Sequence, residues 1–255
     1  MVTRAQMARQ NLEKLADNPY PGRGIVIGRT ATDQVVQVYW VMGRSENSRN
    51  RVLERAGGDV VRTTPFDVSK VEDPSLIIYR AMDRVFNQYV VSNGDQTDTV
   101  TEHFQQGISP NVALRTRDYE PDEPNYTPRI TGVTNAYTGS SLFWLTRRMD
   151  SGESMHTYFQ DRSNEDVIRK KPVARAIGRC IHTYIGDGDP LPSFQGSPYL
   201  VPVGEGAEDT AQMYWDHLNP DNRVAIVARA IPLKFPGHEN DVVDYHIINQ
   251  LERPK

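Results

Sequence analysis

The chain has 255 residues, with 29 Lys and Arg set against 33 Asp and Glu for a formal charge of −4. That length accommodates one large domain or two small ones, and the acid excess gives no electrostatic reason to expect nucleic acid as the main partner. Cys180 is the single cysteine, which excludes an intrachain disulfide and a thiolate metal cluster.

Met1–Leu15 has no continuous apolar segment of the secretory kind, and no apolar run nears the length of a bilayer span, so a cytoplasmic protein without membrane contact is expected. Residues Ala5–Leu15 suit a helix that Asn18-Pro19-Tyr20-Pro21-Gly22 terminates, and residues 1–20 are read as a helical N-terminal extension. Ile25–Gly28 and Val35–Val41 are β-branched runs divided by the polar Arg29–Gln34, a hairpin pattern. Gly22, Gly24 and Gly28 do not make a dinucleotide fingerprint, because they precede or occupy a strand and do not join a strand to a helix.

The second of these strands runs into Gly43–Arg51, where three arginines stand among serines and asparagines. The planar guanidinium fork suits bidentate phosphate recognition, and an exposed basic turn is the plain alternative. Val60–Thr64, Leu76–Met82 and Phe86–Val91 follow as strand-like runs, the last ending in the turn signal Asn93-Gly94. Asp95–Gln106 reads as a helix with Asp95 as its N-cap, and Ser109–Arg115 as a short helical turn.

Asp118–Arg129 holds four acids, two tyrosines, an asparagine and an arginine, stiffened by three prolines. It is expected to be a rigid extended loop, either a solvated connector or a place for chemistry. Ile130–Tyr137 with Leu142–Arg148 form another hairpin pattern, followed by Met155–Gln160 and a strand-like Arg175–Ile185. Gly186–Pro190 lacks the remaining ligands of a calcium loop. Ala207–Leu218 is helical in character with Met213 and Trp215 as anchors, and Arg223–Ile231 and Val242–Ile248 close the chain as strands. Many antiparallel strands with few helices predict a single α+β domain over 21–255. The six histidines lack the i, i+4 spacing of a helical metal site, so no metal is expected, and Cys180 sits in an apolar run that reads as core.

Taken together, Arg44-Ser45 with Asn50-Arg51, Tyr79, Ser92-Asn93-Gly94, Asp118-Tyr119-Glu120, Thr127-Pro128-Arg129-Ile130 and Pro190–Phe194 resemble the archaeal-type IMP cyclohydrolase family, with this chain similar to its bacterial relatives. The blocks stand in the family's order from about Gly24 to the C-terminal strands, although Asn125-Tyr126 inverts the order of the archaeal members. The resemblance implies an αββα sandwich like that of N-terminal-nucleophile hydrolases, without self-processing. It implies closure of 5-formamidoimidazole-4-carboxamide ribotide to IMP and water, with no cofactor. The partners would be the purine ribotide and IMP, with a homo-oligomer compatible. By the same resemblance Tyr79, Glu120 and Arg44 are the catalytic candidates. Ser45, Asn50, Arg51, Asn93, Gly94, Asp118, Tyr126 and Arg129 are the substrate-binding ones. Other readings stand beside it. Tyr79 can be a satisfied core tyrosine, and Glu120 with Arg129 a local salt bridge. The whole chain can be a nucleotide-binding or regulatory protein without catalysis, or an amide hydrolase with a processed N-terminus.

Overall fold

The computed structural model describes residues 2–71, 74, 77–161, 176–233 and 242–252. The loop 161–172, an addition relative to the archaeal members that the sequence resembles, falls outside them from 162 onward, as does the Leu76 end of the strand expected from there.

Two antiparallel sheets make up most of the described chain. The first has the order β11(Tyr199–Pro202), β10(Ile177–His182), β1(Gly24–Arg29), β2(Gln34–Met42), β12(Arg223–Pro232), β13(Asp244–Asn249). The second runs in chain order through β3(Arg51–Arg55), β4(Val61–Pro65), β5(Tyr79–Val85), β6(Gln88–Ser92), β7(Arg129–Asn135), β8(Ser141–Arg148) and β9(Ser154–Asp161). The helices are α1(Arg4–Ala16), α2(Glu46–Arg49), α3(Gln96–Gln105), α4(Pro110–Leu114) and α5(Ala207–His217).

Strand periodicity explains how one strand serves two cores. Along β2 the odd positions Val35, Tyr39 and Val41 join Ile25 and Ile27 of β1 against Tyr79, Val91 and Ile130 of the second sheet. The even positions Val36, Val38, Trp40 and Met42 face the other way, onto Leu12 and Leu15 of α1 and Ala211, Tyr214 and Trp215 of α5. β2 is therefore apolar on both faces, as a strand buried on both sides should be. A smaller cluster joins Val90, Val133 and Trp144 of the second sheet to Val100 of α3 and Ala113 and Leu114 of α4. The protein is thus α+β, two antiparallel sheets with few helices.

A pair of polar residues, Gln37 and Arg229, interrupts the inter-sheet core. Gln37, fully buried, donates to Tyr89 O (3.1 Å) and Thr134 Oγ1 (2.8 Å), and its own oxygen accepts from Arg229 Nη2 (2.6 Å). Arg229 also donates to Val90 O at 2.8 Å, so the pair ties β2 and β12 to β6 and β7.

The differences from expectation are local. β3 and β11 were not anticipated, because their runs are short and interrupted by Arg, Glu or Pro, and pairing partners hold them in place. Phe86 lies outside β6, 70% exposed at a turn with φ 55°. Asp95 precedes α3 without capping it through its side chain; its carboxylate is taken by Arg117 and Arg129. The loop 118–129 is not extended throughout. Asn125 N and Tyr126 N both donate to Asp122 O, at 3.0 and 3.2 Å, closing a turn with Tyr126 at φ 45°.

Candidate active site

Arg23 reaches the site from the start of β1. Gly22, at φ +72°, is placed so that a Cβ there would stand 2.2 Å from Thr183 Oγ1, a position only glycine fills. The chain is then pinned to the end of β10, since Arg23 N donates to Thr183 Oγ1 (3.1 Å) and Thr183 N to Arg23 O (2.9 Å). The Arg23 side chain, 11% exposed, donates through Nη2 to Glu120 Oε2 at 3.2 Å.

Glu120 is held by the folded acidic loop. Its N–H donates to Thr127 O at 2.9 Å, while Asp122 accepts from Thr127 N at 2.6 Å and from the Thr127 hydroxyl. The second carboxylate oxygen accepts from Asn93 Nδ2 at 3.3 Å. Asn93 is fully buried and also donates to Pro128 O (2.9 Å) and accepts from Ile130 N (2.8 Å) and Gln96 Nε2 (2.9 Å), so its amide is committed to positioning. Gly94 sits where a Cβ would crowd Arg129 Nη1 at 2.6 Å and stand 3.6 Å from Glu120 Oε1. Arg129 donates to Asp95 Oδ1 and Gln96 Oε1, both at 2.7 Å. Burial pushes the Glu120 carboxyl above the usual glutamate range, with Arg23, Arg129 and Arg51 pulling the other way and Asp122 adding to the rise.

Behind Arg23 lie two phenols. Tyr39 Oη and Tyr79 Oη are 2.6 Å apart, and both rings are buried. Burial first, and Tyr79 second, push the Tyr39 phenol well above its usual value. Arg51, at the start of β3, lies in the field of Tyr39, Tyr79 and Arg23. Its Nε donates to Ser48 O at 2.9 Å, and among the described residues it has no carboxylate ion pair. Burial and the like charge of Arg23 work against its charged form. Two buried guanidiniums thus stand near one carboxylate, Glu120, whose ion pair is with Arg23, and an entering anion relieves the imbalance.

In front of Arg23 and Arg51 opens a cavity of about 320 Å³, walled also by Tyr20, Arg44, Ser45, Asp122, Asn125 and Tyr184. Arg44 stacks over the Tyr20 ring at 5.1 Å, donates to Gly188 O at 3.0 Å and pairs with Asp187. Ser45 caps α2, its Oγ accepting from Ser48 N at 3.1 Å. Glu120 and Tyr79 stand behind this wall, not in it.

Of the candidates from sequence, Arg44, Ser45 and Arg51 line the cavity, and Glu120, Tyr79, Asn93, Gly94 and Arg129 cluster next to it. Three lie apart from its lining. Asn50 bridges to the backbone of Asp67 (2.7 and 2.8 Å), Asp118 accepts from Ser154 Oγ (2.7 Å), and Tyr126 packs its ring beneath Arg148 at 4.4 Å. Arg23, Tyr39 and Tyr184 escaped sequence reasoning. A charged residue between two glycines ahead of a buried strand was the available signal for Arg23. The tyrosines sat inside apolar runs and looked like core.

Two further titratable groups nearby, Cys180 and His182, are buried. Burial pushes the Cys180 thiol up to about 12 and His182 down to about 4, and His182 Nδ1 stands 2.8 Å from Tyr184 O. Among the described residues no three His, Cys, Asp or Glu gather as a metal site, and no helix is long and apolar enough to cross a membrane.

Residues 20–234 match the family described as IMP cyclohydrolase-like protein. An IMP cyclohydrolase of Methanopyrus kandleri is 34% identical over 132 residues, 50% of this chain and 63% of that protein. One from Methanocaldococcus jannaschii is 31% identical over 116 residues, 45% of this chain and 56% of that protein. One from Methanococcus maripaludis strain C5 is 31% identical over 202 residues, covering 78% of this chain and 88% of that protein. The chain therefore spans less than two thirds of the length of the first two.

Proposed function

The chain belongs to the IMP cyclohydrolase-like family, and on that premise we propose that it closes 5-formamidoimidazole-4-carboxamide ribotide to IMP with loss of water. The observation that carries the proposal is a buried acid, Glu120, clamped between Arg23 and Asn93 behind a cavity walled by Arg23, Arg44 and Arg51. The layering, with α1 and α5 on one outer sheet face and α3 and α4 on the other, supports an αββα sandwich akin to the N-terminal-nucleophile hydrolases.

The ribotide phosphate is placed against the arginine wall, where Arg51 has no carboxylate partner among the described residues. Holding the two reacting arms of one molecule together supplies much of the acceleration. Once the reacting end of the ribotide passes the Arg23 wall to the two groups behind it, the carboxamide nitrogen bonds to the formyl carbon, its proton passes to Glu120 and the formyl oxygen takes the proton of Tyr79. The hydroxyl then departs as water with the proton returned from Glu120. The formamido N–H gives its proton to the Tyr79 oxygen, completing the C=N bond and restoring both groups. A carboxyl held above the usual range suits an acid that must give its proton back. Arg23 and Arg51 stabilise the charge that develops on the phenol oxygen.

The experiment is an absorbance assay of the purified protein on the formamido ribotide, with IMP binding measured in parallel. Turnover by the wild type, lowered about 100-fold or more by Tyr79→Phe with IMP binding kept, supports the assignment. Tight IMP binding without turnover would instead establish a binding protein.

A further inference from the structure

We infer that Tyr39 is a positioning residue for the ring closure, the internal donor that fixes the hydroxyl of Tyr79 and leaves the Tyr79 proton free for transfer. The inference rests on the reaction assigned above and adds a residue to it.

The argument is one of hydrogen-bond accounting. The two phenol oxygens are 2.6 Å apart, so one hydrogen lies between them. Among the described residues neither hydroxyl has another hydrogen-bond partner. The charged groups whose fields reach the pair, Arg23 and Arg51, only donate, so neither accepts a phenolic hydrogen. If Tyr79 donated, the Tyr39 hydrogen would be left without an acceptor on a side chain that is 0% exposed. A buried donor without a partner is costly, and native interiors avoid it. With Tyr39 donating, the unmatched hydrogen belongs to Tyr79, the member with some exposure, 5%. The upward push of burial on the Tyr39 phenol keeps its proton in place and agrees with this direction. β2 holds Tyr39 rigidly, because Val38 and Trp40 on either side are locked into the helix-facing core.

The test is a double-mutant cycle on the full chain using Tyr39→Phe, Tyr79→Phe and the double variant, with kcat, KM and IMP affinity measured for each. Phenylalanine keeps the ring in place, and unchanged IMP affinity shows an intact site. The expected result is a kcat for Tyr39→Phe lowered about tenfold or more, a KM within about twofold, and a double variant no slower than Tyr79→Phe alone. Wild-type kcat in Tyr39→Phe, or losses that multiply in the double variant, would overturn the positioning role. The donor direction is read without turnover, by nuclear magnetic resonance of the hydroxyl proton. A slowly exchanging proton correlated to the Tyr39 ring is expected, and one correlated to the Tyr79 ring overturns the inference. Absence of turnover by the wild type sinks the function assigned above, and the ring-closure role of Tyr39 with it, while a protected proton on Tyr39 would still establish the donor direction.

Discussion

Glu120→Gln is the most informative perturbation, because it removes the one carboxylate among the described residues that pairs with Arg23. Both partners are buried, with side-chain exposures of 11% and 4%. Breaking such a pair typically costs ~3–5 kcal/mol by stranding the surviving charge. The lower end applies here, since the burial that pushes the Glu120 carboxyl up is relieved at the same time. A loss of about 3 kcal/mol lowers Tm by about 6–12 °C for a domain of this size. Phosphate or IMP then supplies the missing negative charge. At a hundred times Kd a ligand returns about 2.7 kcal/mol, so the variant should recover nearly all of its lost Tm and respond to anions more than the wild type does. Turnover should fall about 100-fold or more, as expected when an acid–base group is lost.

The pH dependence has a definite sign. The native carboxyl keeps its proton to a higher pH than the unfolded one, so its contribution is full below the unfolded value and is lost as pH rises through the folded one. Glu120→Gln should flatten that slope. The assay is differential scanning calorimetry with and without phosphate across pH, beside the turnover measurement. A variant within about 1 kcal/mol of wild type and within about tenfold in turnover would refute the role given to this pair.

Arg51→Met should raise KM for the ribotide by about 10- to 100-fold, the worth of one charge-assisted contact, with little change in Tm; an unchanged KM in steady-state kinetics would move the phosphate elsewhere. His182, held down to about 4 by burial, leaves stability intact above about pH 6.5 and erodes it as pH falls towards 4, by about 3 kcal/mol in all. His182→Gln should flatten that acid limb in urea titrations, and an unaltered limb would contradict the assignment. Gly24→Ala would set a Cβ 1.8 Å from Trp40 Cζ2 in the helix-facing core, and should destabilise by about 3 kcal/mol or more. A Tm within about 2 °C of wild type would contradict that packing argument.

β1, β2 and β12 of the first sheet were legible because they are β-branched runs whose two-sided burial leaves a continuous apolar signature. β3, with Arg51, Glu54 and Arg55, carries no such signature and exists through its pairing with β4. The residues of the proposed site were legible where charge or proline marked them, as at Glu120, Arg51 and Arg44. Tyr39, proposed above as a positioning residue, was not legible, since such a phenol and a core tyrosine look alike in a strand that is apolar on both faces. Asn50 and Asp118 mark the converse. Their residue types suited binding, but a backbone bridge to Asp67 and a contact to Ser154 already use them. Sequence carries residue type and spacing, whereas the nearness of two buried arginines to one carboxylate emerges only when β1, β3 and the acidic loop meet.

The central claim is that ring closure takes place at the cavity in front of Arg23 and Arg51. The most direct measurement is a crystal structure of the protein with IMP bound. The account predicts the phosphate within hydrogen-bonding distance of Arg51 and the purine ring turned towards Glu120 and Tyr79. IMP seated in the neighbouring groove by Lys70 and Asp67, with the arginine cavity empty, would contradict it.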